Sequence, residues 1–120
     1  MLNALIVDDE KIIREYNGSL LREKGYETSE AENGYEASQM LTAQTDVNLV
    51  LLDVRMPVVD GTDLVEIIKM RSPKTKIVVS SVYPLDDQKR LISNADAYHQ
   101  KSEGQEILLL RIDSIMSKEP

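Results

Sequence analysis

Cysteine is absent from this 120-residue sequence, which excludes a disulfide framework and any thiolate metal site and suits a reducing compartment such as the cytosol. No apolar run approaches the ~18 residues of a membrane span. The first apolar stretch, Leu5 to Val7, lacks the basic flank and cleavage site of a secretory signal, so the N-terminus reads as that of a mature protein. Basic charge is scarce too. Against 21 Asp and Glu stand 14 Lys and Arg, for a formal net charge of -7 and a pI of about 4.7. Without a basic stripe the chain is not expected to bind DNA or RNA directly, and acidic partners are disfavoured. Repeats, low-complexity tracts and linkers are also missing, and only residues 117–120 read as a frayed end. The length suits one hydrophobic core, so residues 1–120 are expected to form one domain.

Apolar residues make up 42% and charged residues 29%, close to the globular average, which argues for a folded chain. Short apolar runs alternate with amphipathic segments: 4–7 then 12–21, 26–29 then 35–41, 49–52 then 64–70, 77–79 then 85–92, and 95–98 then 107–116. Five βα pairs result. Leu49-Val50-Leu51-Leu52 and Ile77-Val78-Val79 carry no polar alternation, as expected of parallel strands covered on both faces. The expected fold class is therefore α/β, a five-stranded parallel sheet with helices on both faces and right-handed crossovers.

Local signals agree with this division. Asn33 with Glu36, and Ser102 with Gln105, have the spacing of capping boxes or near relatives. Gly25 and Asn94 stand just past helical segments, where a left-handed residue is commonly required. Gly18 is out of place. Inside the first helix it costs about 1 kcal/mol relative to Ala, and the sequence offers no compensating reason.

In an open parallel sheet, ligands bind beyond the carboxyl ends of the strands. Strand one ends in Asp8-Asp9, strand three in Asp53, strand four in Ser80-Ser81, and Lys101 follows strand five. Any one of these carboxylates could simply cap a helix. Together they repel, by roughly 4 kcal/mol per pair at ~4 Å and intermediate dielectric, unless a cation or proton intervenes. Carboxylate oxygens plus water suit Mg²⁺, which commonly bridges protein to phosphate oxygens. The cluster therefore points to phosphoryl chemistry.

The string Leu52-Asp53-Val54-Arg55-Met56-Pro57-Val58-Val59-Asp60-Gly61 resembles the LDxxMPxxDG signature of response-regulator receiver domains. Val7-Asp8-Asp9-Glu10 resembles the acidic pair after that family's first strand, and Ala95 to Lys101 resembles its ADxYxxK segment. The resemblance spans essentially the whole chain. It implies strand order 2-1-3-4-5 and a phosphorelay role, with Asp53 accepting a phosphoryl group from a sensor histidine kinase or phosphotransfer protein. It further implies that Mg²⁺ is held by Asp8, Asp9, Asp53 and the backbone carbonyl of Arg55, and that Lys101 pairs with the phosphoryl oxygens. A strand-four hydroxyl would bond the phosphoryl group, with Tyr98 turning inward behind it as the switch aromatic. Counting from Pro73 as receivers usually run selects Ser81 over Ser80. The alternatives are a strand-end hydroxyl bonded to backbone for Ser81, a solvated amine for Lys101 and simple core packing for Tyr98. Such a domain is cytoplasmic and not a conventional enzyme, since it catalyses only its own phosphorylation and dephosphorylation. Its partners would include a downstream protein or effector domain and, in some receivers, a second copy.

This chain departs from the pattern in three places. Val82 stands where Ala or Gly is usual, Ser102 replaces the usual proline after the lysine, and the segment from Ser81 to Lys101 is slightly short, which bears on the fourth helix. Because cis peptide bonds are essentially confined to X-Pro, a trans Lys101–Ser102 bond is expected. His99 reads as a strand-edge histidine rather than a phosphodonor. The main rival function is a degenerate receiver that binds proteins without phosphorylation, and the complete acidic set with Lys101 speaks against it. A haloacid-dehalogenase phosphatase would need an Asp where Arg55 stands. A flavin site would place a phosphate against Asp8-Asp9-Glu10, which would repel it.

Overall fold

The structure is a computed structural model that describes residues 2–44, 46–53 and 61–117. The expectations for Arg55, for the rest of 54–60 and for 118–120 lie outside the described residues. Strands and helices alternate: β1 (Asn3–Val7), α1 (Lys11–Glu23), β2 (Glu27–Ala31), α2 (Gly34–Ala43), β3 (Leu49–Leu52), α3 (Gly61–Arg71), β4 (Lys76–Ser81), α4 (Leu85–Leu91), β5 (Ala97–Gln100) and α5 (Gln105–Met116). A 3₁₀ turn, Lys101–Glu103, separates β5 from α5. The five strands form one parallel sheet in the order β2-β1-β3-β4-β5. Fold class and strand order are as expected.

Strand alternation divides the core into two layers. Leu5, Val7, Val50, Leu52, Ile77 and Val79 face α2, α3 and the end of α4, meeting Leu41, Leu64, Ile68 and Ile92. Ala4, Ile6, Leu49, Leu51 and Val78 face α1 and α5, meeting Leu21, Leu108 and Ile112. Each fully buried Leu or Ile contributes about 1.5–3 kcal/mol. Burial on both faces explains why β1, β3 and β4 read as unbroken apolar runs, whereas the edge strand β2 is Glu-Thr-Ser-Glu-Ala.

Helix ends follow the sequence in part. Asn33 Oδ1 accepts the Glu36 amide at 2.8 Å and Glu36 Oε1 accepts the Glu32 amide at 3.0 Å, a near relative of the expected box. Gly25 takes a left-handed φ of 97°. Asn94 does not, since no described residue other than glycine has positive φ. The reason is that α4 stops at Leu91 and Ile92 turns extended, φ -134°, to drop its side chain into the core. The Ser102–Gln105 box is also corrected: the 3₁₀ turn intervenes, Gln100 and Glu103 cap each other, and Gly104 precedes α5. Gly18 has one close neighbour. A Cβ there would lie 3.0 Å from Arg22 Nη1, the atom that donates to Thr28 Oγ1 at 2.9 Å, so glycine leaves room for the Arg22 guanidinium to cross to β2.

Candidate functional site

Strand register brings the acidic ends together. Val7 pairs with Leu52, and the Asp53 amide donates to the Val7 carbonyl at 3.0 Å, so Asp8 and Asp53 leave neighbouring strands side by side. Both are buried, at 4% and 2% exposure. Lys101 reaches over from the far end of β5: its Nζ lies 3.2 Å from Asp8 Oδ2 and 3.1 Å from Asp53 Oδ2. Asp9 is exposed, yet Asp8, Asp9 and Glu10 each offer a carboxylate oxygen within 4.8 Å of the others. Three residues distant in sequence thus share one crevice at the carboxyl edge of the sheet.

Burial raises the pKa of Asp8, and the Asp53 charge adds to this. The Glu10 amide, donating to Asp8 Oδ1 at 2.9 Å, and the Lys101 ammonium pull the other way without prevailing. For Lys101, burial disfavours the charged form, but Asp53 and Asp8 outweigh it and hold the pKa above its ordinary value. The crevice therefore favours a cation, and its donors are hard oxygens of the kind Mg²⁺ prefers. Asp8, Asp9 and Glu10 fit such an ion by donor chemistry and spacing.

The two serines of β4 point to opposite sides of the sheet. Ser80, on the Val78 side, bonds His99 Nδ1 at 2.8 Å. His99 Nε2 lies 2.8 Å from the Gly104 carbonyl, which can only accept, so Nε2 carries the proton and Ser80 Oγ donates to Nδ1. His99 is 1% exposed, and burial lowers its pKa from 6.5. It is a neutral, internally bonded residue. Ser81, on the Val79 side, pairs with Gln100, the residue before Lys101. Its Oγ accepts the Tyr83 amide at 3.2 Å. Tyr98 packs against the α2/α3 layer, and its hydroxyl donates to the Ile92 carbonyl. Val82 is half exposed beside this loop.

Several supporting residues escaped the sequence reading. Arg14 is 7% exposed; its Nη1 donates to the Asp8 carbonyl at 2.8 Å and its Nε to Glu30 Oε1 at 3.2 Å. A cation on the buried face of α1, one turn after the acidic triplet, was the available signal. Gln88 is fully buried in α4 and donates through Nε2 to the carbonyls of Tyr83 and His99 at 2.7 and 2.8 Å. Arg111 grips Glu103 through both Nη atoms at 2.6 Å. Pairings such as Arg111 with Glu103 have no signature in sequence spacing.

In this doubly wound α/β fold the acids and the amine converge at the carboxyl edge, the place where such sheets bind ligands. The chain belongs to the response regulator receiver domain family, matching it over residues 4–113. It is 36% identical over 119 residues to a gliding motility regulatory protein of Myxococcus xanthus, covering 95% of this chain and 15% of that protein. It is 33% identical to a cyclic di-GMP phosphodiesterase of Thermotoga maritima, covering 92% of this chain and 30% of that protein. The chain therefore spans less than a third of either relative. Among solved structures, the response regulator TrrA of Thermotoga maritima, in complex with Mg²⁺–BeF, superposes with a TM-score of 0.84 at 32% identity, covering 95% of this chain and 98% of that one. Its relatives are two-component signalling proteins, and the family is not one of conventional enzymes. No helix among the described residues is long and apolar enough to cross a membrane.

Proposed function

We propose that this receiver domain accepts a phosphoryl group on Asp53 from the phosphohistidine of a sensor histidine kinase or phosphotransfer protein, and that the acyl phosphate changes which partner it binds. The observation that carries this reading is Lys101 Nζ held within 3.2 Å of both Asp8 and Asp53 across the crevice. An Asp53 carboxylate oxygen attacks phosphorus, the P–N bond to the imidazole breaks, and the histidine leaves with the bonding pair. Dephosphorylation reverses the charge change: water attacks phosphorus and inorganic phosphate departs.

Asp8, Asp9 and Asp53, with the Arg55 carbonyl, would hold Mg²⁺, and Glu10 stands close enough to join through water. When bound, the ion neutralises carboxylate and phosphoryl charge and aligns the oxygens. Lys101 has the second task. Its ammonium, now shared between Asp8 and Asp53, would turn to a phosphoryl oxygen and make a charge-assisted bond. Ser81 Oγ would leave the Tyr83 amide to donate to another phosphoryl oxygen. That exchange draws the Ser81–Tyr83 loop toward the site, and Tyr98 follows into the space behind it. Differential contacts of a few kcal/mol suffice to shift such an equilibrium. A cytoplasmic setting and a downstream protein or effector domain as partner complete the reading.

The test is intact-mass spectrometry after incubation with millimolar Mg²⁺ and acetyl phosphate, phosphoramidate or a competent kinase. Wild type should gain one phosphoryl group, and Asp53→Asn should gain none. A wild type left unmodified by every donor would favour a phosphorylation-independent interaction module instead.

A further inference from the structure

The phosphoacceptor reading needs the Lys101 ammonium in one place, yet Lys101 begins a three-residue turn at the end of a four-residue edge strand. A lysine side chain is long and flexible, so its reach is defined only if the backbone at its root is fixed. Family proteins usually carry a proline at the next position. Here Ser102 follows, and no described peptide bond is cis.

The turn is instead tied to α5. Glu103 Oε1 accepts the Gln100 amide at 2.8 Å, closing the turn across Lys101. Arg111 holds both oxygens of the same carboxylate at 2.6 Å, the paired fork geometry that constrains direction as well as distance. Its Nη1 also donates to the Tyr98 carbonyl at 2.9 Å. One guanidinium therefore grips the chain on both sides of Lys101, three residues before it and two after. An ion pair on an open surface would have little effect on anything beyond itself. This pair is partly buried, with side chains 32% and 25% exposed, and each of its further bonds ends on backbone beside Lys101.

We propose that Glu103 and Arg111 are positioning residues for Lys101, fixing the turn that aims its ammonium at the phosphoryl group on Asp53. The inference rests on the phosphoacceptor reading and extends it. Both residues act through Lys101, so their loss should weaken the phosphoryl contact and spare the carboxylates of β1 and β3.

Beryllofluoride with Mg²⁺, a non-covalent phosphoryl mimic, is the probe, titrated while amide spectra are recorded. Arg111→Met should weaken beryllofluoride binding about tenfold, the lower end for loss of a supporting partner. Glu103→Gln keeps an oxygen for the Gln100 amide and should lose less. Mg²⁺ affinity measured alone by calorimetry should not weaken in either, because a displaced ammonium leaves the Asp8 and Asp53 oxygens freer for the ion. In a Lys101→Met background the Arg111→Met substitution should cost nothing further, because its effect passes through the missing amine. An undiminished loss in that background, or no loss in the wild-type background, overturns the inference. Should Arg111→Met fail to fold, Glu103→Gln carries the same cycle with the same criteria. Failure of wild type to bind beryllofluoride with Mg²⁺ would overturn the phosphoacceptor reading itself, whereas normal wild-type binding with additive losses overturns this inference alone.

Discussion

The two sides of the site are built differently. On the α5 side a charged pair holds the backbone, Arg111 binding Glu103 and the Tyr98 carbonyl, and neutral His99 adds bonds to Ser80 and Gly104. On the α4 side the ties are neutral, with Gln88 reaching the carbonyls of Tyr83 and His99, Tyr98 reaching that of Ile92, and Ser81 accepting one amide at 3.2 Å. The helix there has only seven residues, and Pro84 before it supplies no side-chain cap. Charge-assisted bonds are roughly twice as strong as neutral ones. One wall is thus suited to fix Lys101, and the other would be the one rearranged by the phosphorylation proposed for Asp53.

The comparison can be tested by substitution. Gln88→Leu should have the largest effect on stability, because it orphans two carbonyls at about 1–3 kcal/mol each if they stay buried. Denaturant unfolding measures the loss, and hydrogen exchange should place it in α4. Ser80→Ala should cost less, about 1–3 kcal/mol for the single buried His99 nitrogen left without its donor. Ser81→Ala should cost under about 1 kcal/mol, since it removes one long bond, yet it should abolish the phosphorylation-dependent amide shifts at Tyr83. Were Ser80→Ala to erase those shifts and Ser81→Ala to spare them, the assignment of the two walls would be reversed.

The smallest effect should come from pH. Burial holds the His99 pKa below 6.5, so the unfolded chain binds a proton first as pH falls. Lys101, Glu103 and Arg111 face the ring, and the Gly104 bond and the Glu103 charge only partly offset burial. Stability from this group is therefore complete above the unfolded value and declines as pH drops toward the folded one. The advantage of wild type over His99→Gln should shrink as pH falls below about 6.5, as paired denaturation curves would show.

How much of this was legible in the sequence depended on the kind of signal. The five βα pairs could be read because burial on both faces leaves runs such as Leu49 to Leu52 without polar alternation. Asp8 and Asp53 could be singled out because each directly follows an apolar run, and Lys101 because it follows the fifth strand; strand register then sets them side by side. Gln88 and the Arg111–Glu103 pair could not, and Arg14 offered only its place on the buried face of α1. Their roles come from side chains crossing between elements far apart in sequence, and an isolated Arg or Gln reads as a solvated surface residue. The Ser102 cap failed for a related reason: Glu103 is claimed by Arg111 and Gln100, so the turn tightens before α5 begins.

Titration of Mg²⁺ into wild type and Asp53→Asn, followed through backbone amide shifts, tests most directly the claim that the acids of β1 and β3 form one cation site. Millimolar Mg²⁺ should move the amides of Asp8, Asp9, Glu10 and Asp53 together along a single saturating curve in wild type, with weaker binding in the variant. Amides at Asp8 to Glu10 that ignore the ion, or that saturate identically when Asp53 is replaced, would contradict the account.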